Sequence, residues 1–349
     1  MKILYGVQGT GNGHIARARV MHRALKKRGV EVDMLFSGRP KDKYFSMDGF
    51  GDYQAYRGLT FVTEKGKVDY LRSAFSNSAL HFRKEVQQMD LNQYDIVLND
   101  FEPITAWAAK KNKTPCISIC HQNAFRYPVP MSGAGWLDSQ LIKHFAPSNY
   151  HIGLHWYHFD QPLLPPIIGE HHGSSHDENF TLIYLPFESL DDVIELCHRF
   201  VTHNFICYHP DVKEQCRLDN LDLRPLNYAG FQNHLDSCLG VIANGGFELP
   251  SEALSRGKKL LLKPLTGQFE QVSNADTLEM LGLATSMESL DAAKVRHWLD
   301  EEKAESVRYP DVASPLVEWL LASEWHNKDN LCQSLWEQVD FPSYVSQID

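Results

Sequence analysis

Nowhere does the chain reach the ~20 consecutive apolar residues that a membrane-spanning helix requires. That excludes a helical integral membrane protein and leaves room for peripheral membrane contact at most. The amino terminus enters a strand pattern, Lys2-Ile3-Leu4-Tyr5-Gly6-Val7, without the basic segment, apolar core and cleavage site of a secretory leader. Cysteine follows no spacing: the seven, at 116, 120, 197, 207, 216, 238 and 332, form no C-x-x-C pair and no zinc-like repeat. Free thiols in a reducing cytosol are the simplest account, so a cytoplasmic protein is expected. Positive charge is short as well, with 34 Lys and Arg against 44 Asp and Glu and a net charge of −10. That balance argues against a general nucleic-acid binder, which needs clustered cations to neutralise phosphates.

What the chain has is length. Its 349 residues exceed what one hydrophobic core usually serves, and 43% hydrophobic with 22% charged residues describes a globular protein, here of two domains. Around Pro162, Pro165 and Pro166 and then through 169–179 the pattern dissolves into turn formers and polar residues. That stretch reads as a linker, its His171, His172 and His176 as solvated side chains rather than metal ligands. The expected units are 1–168 and 180–314, with 315–349 as a helical tail.

In the first half, strand residues 2–7 feed the loop Gln8-Gly9-Thr10-Gly11-Asn12-Gly13-His14. Ile15, Ala18, Met21, Ala24 and Leu25 then recur at helical spacing to near Gly29, and Val30–Phe36 closes a β-α-β unit. Alternate glycines let a ligand approach the backbone at a helix N-terminus, which suits phosphate. A P-loop would need Lys-Ser/Thr after the last glycine, where His14-Ile15 stands, and a dinucleotide fingerprint would need a third glycine at His14 and an acidic residue after the second strand, where Ser37-Gly38-Arg39 stands. NAD is therefore not expected. His14 beside a helix N-terminus resists protonation and stays available as a base; the plainer alternative is a capping histidine.

Further on, an aromatic-rich part (Tyr53, Tyr56, Phe61, Tyr70, Phe75) precedes a helix-like run from Tyr70 to Met89. Strand Asp95–Leu98 runs into Asn99-Asp100-Phe101-Glu102-Pro103, and strand Cys116–Cys120 into His121-Gln122-Asn123. Ligands of open parallel sheets bind beyond the carboxyl ends of the strands, so Gly9–His14, Asp100, Glu102 and His121–Asn123 should share one rim. Loop solvation is the competing account of Asp100 and Glu102. Trp136, Leu137, Gln140, Leu141, His144 and Phe145 mark an amphipathic helix, as core or groove wall. His151, His155 and His158 imitate a helical metal site, but Gly153 and the alternation of Ile152, Leu154 and Trp156 favour a strand that splits them between faces.

The second half repeats the α/β pattern, with strands at 181–185, 204–208, 223–226 and 240–243 and helices at 190–201 and 231–238. The stretch 241–274 is its most informative part. Val241-Ile242-Ala243 breaks at Gly245 and Gly246, and a helical pattern (Phe247, Leu249, Ala253, Leu254) stops at Gly257, where a C-cap glycine is expected. The helix start could hold phosphate, although glycines at such a junction can also serve turn geometry alone. Two successive α/β halves predict two doubly wound domains facing each other across a cleft, a common place for a small-molecule site.

At these residues the chain resembles the GT-B glycosyltransferases, specifically the superfamily of UDP-dependent glycosyltransferases and the N-acetylglucosaminyltransferase of peptidoglycan lipid synthesis. The Gly9–His14 loop resembles that family's G-G-T-G-G-H, His121-Gln122-Asn123 its H-E-Q-N, Gly246 through Glu252 its S-G-x-x-x-x-S-E, and Glu270-Gln271 with Asn274 its D/Q-Q-x-x-N-A. Order and spacing hold over nearly the whole chain. It resembles uncharacterised prokaryotic members of that superfamily that begin with this same glycine-histidine loop.

The resemblance implies a GT-B fold of two Rossmann-like domains, the second holding a nucleotide-sugar donor, UDP-linked by family habit, and the first an acceptor. Gly11, Asn12 and Gly13 would face the donor from the first domain. Glu252 would accept hydrogen bonds from ribose hydroxyls, and Asn244, Gly245, Gly246 and Phe247 would bring a helix N-terminus onto the diphosphate. Glu270 and Gln271 would bind the sugar, and Ser189, where relatives carry a glycine-rich phosphate loop, would cap a helix and touch phosphate. His14 is the first candidate base, with Asp100, Glu102 or His121 as rivals; Gln122 and Asn123 stand with His121 on the acceptor side. The tail, with Leu316, Trp319, Leu320, Leu331, Leu335, Trp336 and Val339, resembles the GT-B segment that crosses back to brace the first domain, although a dimer surface would use the same residues.

No Asp-x-Asp pair occurs, so nothing suggests a metal on the diphosphate, and metal-independent inversion without a cofactor is the expectation. The acceptor is left open between a lipid-linked and a saccharide hydroxyl. Two other functions remain compatible: a nucleotide-sugar epimerase or hydrolase on the same fold, for which Asp100 and Glu102 would supply carboxylates, and a non-catalytic sugar-nucleotide-binding protein, against which His14 counts.

Overall fold

β1 (Lys2–Gln8) runs into the glycine loop and then α1 (Asn12–Lys27), which ends at Arg28 with Gly29 at φ 69°, the left-handed position a glycine takes without strain. β2 (Glu31–Ser37) returns parallel to β1, with Val7 opposite Phe36. This is a computed structural model, and it describes residues 1–59, 62–64, 67–69, 78–169 and 178–345. β3 (Tyr53–Tyr56) extends the sheet edge, and β4 (Val62–Glu64) with β5 (Lys67–Asp69) forms a separate antiparallel ribbon. Phe61, Tyr70, Phe75, the start of the helix-like run and most of the 169–179 linker lie outside the described residues.

α2 (Ala79–Gln88) begins where Ser78 Oγ accepts the His81 N–H at 3.2 Å. β6 (Ile96–Asp100) lies against β1, α3 (Pro103–Asn112) follows with proline at its first position, and β7 (Cys116–Cys120) leads into a 3-10 turn, His121–Arg126. α4 (Trp136–His144) buries Ile142 but leaves Trp136 73% exposed, so the amphipathic helix expected here does not bury its first aromatic. β8 (Tyr150–Gly153) completes an all-parallel sheet in the order β3-β2-β1-β6-β7-β8. That strand stops short of Trp156; His151 and His155 are separated, and His155 is buried.

The second sheet starts with β9 (Phe180–Tyr184), followed by α5 (Leu190–His198) and β10 (Asn204–Tyr208). β11 (Cys216–Leu218) and β12 (Leu221–Arg224) form an antiparallel hairpin that periodicity alone did not reveal, because β11 is exposed and has no buried face to mark it. α6 (Tyr228–Ser237) starts three residues earlier than the apolar pattern suggests, because the Asn227 side chain caps the Gly230 N–H at 2.7 Å. β13 (Gly240–Ala243), α7 (Glu248–Ser255), β14 (Lys259–Leu262), α8 (Phe269–Met280), β15 (Thr285–Ser286) and α9 (Ala292–Leu299) complete it, with Gly257 at φ 63° just past α7. The order is β11-β12-β10-β9-β13-β14-β15.

α10 (Ala313–Ala322) packs on α1, and Arg28 pairs with Glu318. From α11 (Asp329–Trp336), Trp336 donates to the Leu163 carbonyl at 2.8 Å, so both last helices rest on the unit of the first sheet. None of the seven cysteines forms a disulfide among the described residues, and six are buried. Two mostly parallel sheets flanked by helices thus face each other across a cleft, the predicted GT-B architecture. Among the described residues no helix is long and apolar enough to cross a membrane.

Candidate active site

Asp100 ends β6 directly beside Val7 of β1, and His14 lies at the start of α1 above them. The His14 Nδ1 to Asp100 Oδ1 distance is 2.7 Å. Arg17, one helical turn on, donates through Nε to Asp100 Oδ2 at 2.8 Å and through Nη2 to Oδ1 at 2.7 Å, a two-pronged grip on a carboxylate with no solvent exposure. Burial raises the Asp100 pKa, but the Arg17 and His14 charges and hydrogen bonds outweigh it and hold the group below the usual carboxylate value. An ionised Asp100 only accepts, so its Oδ1 draws the imidazole proton to Nδ1, although Arg17 Nη2 also lies 3.0 Å from that nitrogen; His14 Nε2 has no hydrogen-bond partner among the described residues. The His14 side chain keeps 14% exposure, enough to be reached.

Across the cleft, Glu248 in the first turn of α7 accepts from Arg17 Nη1. Burial, opposed by Arg17 and reinforced by Glu252 and Asp100, pushes the Glu248 carboxyl up to about 8. Two carboxyl groups share one guanidinium, and the one whose partner is already committed takes the proton.

Glu102 is built into the fold. Its carboxylate accepts the Ile104 and Thr105 N–H groups at 2.8 and 2.6 Å and the hydroxyls of Ser37 and Thr105 at 2.6 Å each, capping α3 with no exposure. Burial raises its pKa against those four bonds.

His121 is sealed between the sheets. Its Nδ1 meets the Leu154 carbonyl at 2.8 Å and its Nε2 meets Asn274 Oδ1 at 2.7 Å, while the ring stacks on Phe247 with centroids 4.1 Å apart. Neither nitrogen is free, and burial lowers its pKa. Gln122 Nε2 donates to the Glu270 carboxylate at 3.0 Å, another contact between the sheets. Asn123 ties the Ser118 and Ile152 backbone and does not reach the cleft partners.

Several residues at the carboxyl end of the second sheet hold their own turn. Gln271 Oε1 accepts the Gly245 and Leu265 N–H groups at 3.2 and 2.9 Å, the Gly246 N–H goes to the Asn244 carbonyl, and Asn244 Nδ2 donates to the Lys263 carbonyl and to Glu188. Lys263 Nζ pairs with Glu188 at 2.8 Å, which places a carboxylate just before α5. Ser189 occupies the cap position of α5 without a side-chain capping bond. Glu252 accepts Gln232 Nε2 at 2.9 Å through Oε2, and its other oxygen has no hydrogen bond among the described residues. From the first sheet's side, Asn12 Nδ2 donates to Tyr184 OH at 2.6 Å, while Gly13 abuts Glu248.

The geometry therefore brings His14 onto Asp100, Asn12 onto Tyr184, Gly13 against Glu248, His121 onto Phe247 and Asn274, and Gln122 onto Glu270. It adds Arg17, Glu248, Tyr184 and Arg39, which motif reading passed over. Arg17 carried a signal, three residues past His14 on the same helical face. Glu248 fell in a variable position of its motif and carried none.

The family model described as "Glycosyl transferase family 1" matches residues 1–301. The chain belongs to glycosyl transferase family 1. As a GT-B glycosyltransferase it is similar in fold to a glycotransferase of kitacinnamycin (15% identity, 97% of this chain and 99% of that chain, TM-score 0.59). It is likewise similar to Arabidopsis thaliana UGT89C1 complexed with quercetin (12% identity, 96% and 99%, TM-score 0.59) and to the spinosyn rhamnosyltransferase SpnG complexed with thymidine diphosphate (12%, 96% and 100%, TM-score 0.57). Among curated protein sequences none matches the glycosyltransferase. No group of three His, Cys, Asp or Glu side chains in the transferase comes together as metal ligands among the described residues.

Proposed function

We propose that the chain moves a sugar from a nucleotide-sugar, a UDP-sugar by the motifs it carries, to an acceptor hydroxyl with inversion and without a metal. The observation that carries this reading is the His14–Asp100 pair at 2.7 Å, with the His14 side chain still 14% exposed. The acceptor oxygen forms a bond to the anomeric carbon as its proton passes to His14 Nε2. The bond from that carbon to the diphosphate oxygen breaks, and its electron pair leaves with the diphosphate. Asp100 stabilises the imidazolium, and charge on the leaving group is met by N–H dipoles of the glycine loop. Glu252, with an open carboxylate oxygen, takes the ribose; Glu270, held by Gln122, lies beside the sugar, and Gln271 shapes the turn beneath it. Thymidine diphosphate bound to the spinosyn rhamnosyltransferase supports a nucleoside-diphosphate ligand on this fold. The working division is 1–168 for the acceptor side, 180–314 for the donor side and 315–349 as a brace.

Calorimetry against UDP, dTDP, GDP and their sugar conjugates tests it. Absence of binding by every one would remove the donor site. With a donor found, His14→Ala should retain binding and lose transfer or slow donor hydrolysis; unchanged turnover would move the base elsewhere.

A further inference from the structure

The turn Ser37-Gly38-Arg39 at the carboxyl end of β2 brings a guanidinium to the glycine loop. Arg39 Nη2 donates to Asn12 Oδ1 at 2.7 Å, and Asn12 passes the contact to Tyr184 OH, the last residue of β9, at 2.6 Å. The three residues bridge the two sheets at the strand ends. The guanidinium lies 4.7 Å from the centroid of the Tyr44 ring, and the Tyr44 hydroxyl fills the space where a Cβ on Gly9 would stand, so the loop glycine and this cluster are built together.

The cluster is electrically unfinished. The neighbouring carboxylates are committed, Asp100 to Arg17 and His14, Glu248 to Arg17, and Glu102 to its cap. No ion pair involves Arg39 among the described residues. Arg39 Nε and Tyr44 OH are both buried without a hydrogen-bond partner, and Tyr44 as a whole is only 9% exposed. Burial lowers the proton affinity of Arg39 more than the neighbouring Tyr44 and Tyr184 raise it, the mark of a cation partly withdrawn from water without a counter-charge. Beside it, α1 has Gly11 at its N-cap, with no side-chain cap and no acidic residue in its first turn, so its free N–H groups add positive potential.

We propose that Arg39, with Asn12 and the start of α1, binds a phosphate group, the one farther from the nucleoside in the donor diphosphate, with Tyr184 closing on it from the second sheet. The assignment rests on the donor reading above and adds a first-domain cation to it. A guanidinium with an unpartnered Nε beside an unpartnered hydroxyl matches phosphate oxygens, and the position at the end of β9 favours a phosphate of the donor over one carried by an acceptor.

The test is titration calorimetry of the full chain with UDP, with dTDP and GDP in parallel, followed by the nucleoside of whichever binds. Arg39→Gln should weaken the diphosphate by roughly 10- to 100-fold, the range for hydrogen bonds to charged groups, and leave nucleoside affinity within twofold. It should also flatten the salt dependence of diphosphate binding, and Arg39→Lys should fall between wild type and Arg39→Gln. Circular dichroism of the variants checks that they fold, and Tyr44→Phe, which keeps the ring, serves should Arg39→Gln not fold; it should weaken the diphosphate alone by a few-fold. Equal diphosphate affinity in wild type and variant overturns this inference and leaves the donor site standing, as does equal loss of nucleoside and diphosphate. Absence of any nucleotide binding to wild type overturns the donor reading itself.

Discussion

Arg17 reaches across the cleft from α1 to Glu248 at the start of α7, while the other edge of the same guanidinium holds Asp100 under His14. One buried cation thus ties the orientation of the candidate base to the approach of the opposite sheet. Arg17→Met fills similar volume but leaves Asp100 buried without its cation. A loss of about 3–5 kcal/mol is expected, the range for breaking a buried pair on one side, read as a lower urea midpoint.

Glu248 sets a pH dependence with a definite sign. Its folded pKa is raised to about 8 from an ordinary 4.5, so its contribution to stability is full below about pH 4.5 and is lost as pH rises through about 8. Glu248→Gln mimics the protonated side chain and cannot ionise. The variant should match wild type near pH 5 and be more stable than it at pH 8 and above. Parallel stability curves over that window would show that Glu248 stays ionised beside Arg17.

Asp100 acts in the opposite sense and in catalysis. Its depressed pKa contributes stability above the unfolded carboxylate value, lost as pH falls through the folded one. Asp100→Asn puts an amide opposite His14 Nδ1 and removes the acceptor that fixes the tautomer. A fall of roughly 10²- to 10⁴-fold in kcat, with donor affinity retained, is expected from the loss of general-base function. A kcat within threefold of wild type would show that the tautomer does not depend on Asp100.

How much of this the sequence carries depends on the range of the interaction. The β-α-β units, the glycine loop and the C-cap at Gly257 are local matters of period and turn chemistry, so both sheets and the facing-domain fold were legible. The environments of the two acids after β6 were not. Asp100 and Glu102 stand two residues apart in one loop-like stretch, yet one meets Arg17 and His14 while the other meets the α3 N-terminus and Ser37, 65 residues away. Only the pairing of β1, β2 and β6 brings Ser37 there. His121 shows the same limit: the motif put it on the acceptor side, but Asn274 and Phe247, more than a hundred residues on, cover it.

Glu102, read as a cap, has a prediction of its own. Glu102→Ala removes the acceptor of two helix N–H groups and two hydroxyls. A cost of about 2 kcal/mol or more is expected, the upper range for a helix cap, measured by urea unfolding. The pH–rate profile of the folded fraction should keep the wild-type midpoint. A shifted midpoint would return Glu102 to the candidate bases.

Glu252 separates the ribose from the phosphates. Its Oε2 is occupied by Gln232 while its second oxygen lacks a partner among the described residues. Burial pushes its pKa up, with Arg256 and the Gln232 bond opposing. Two ribose hydroxyls can donate to such a carboxylate, and they are present in uridine as much as in UDP. Glu252→Gln offers one acceptor fewer, so both ligands should weaken together, by roughly 10-fold on the scale of hydrogen bonds to a charged group. Arg39→Gln should instead weaken UDP alone. A Glu252→Gln protein that binds uridine as wild type does would place the ribose away from α7, and the diphosphate with it.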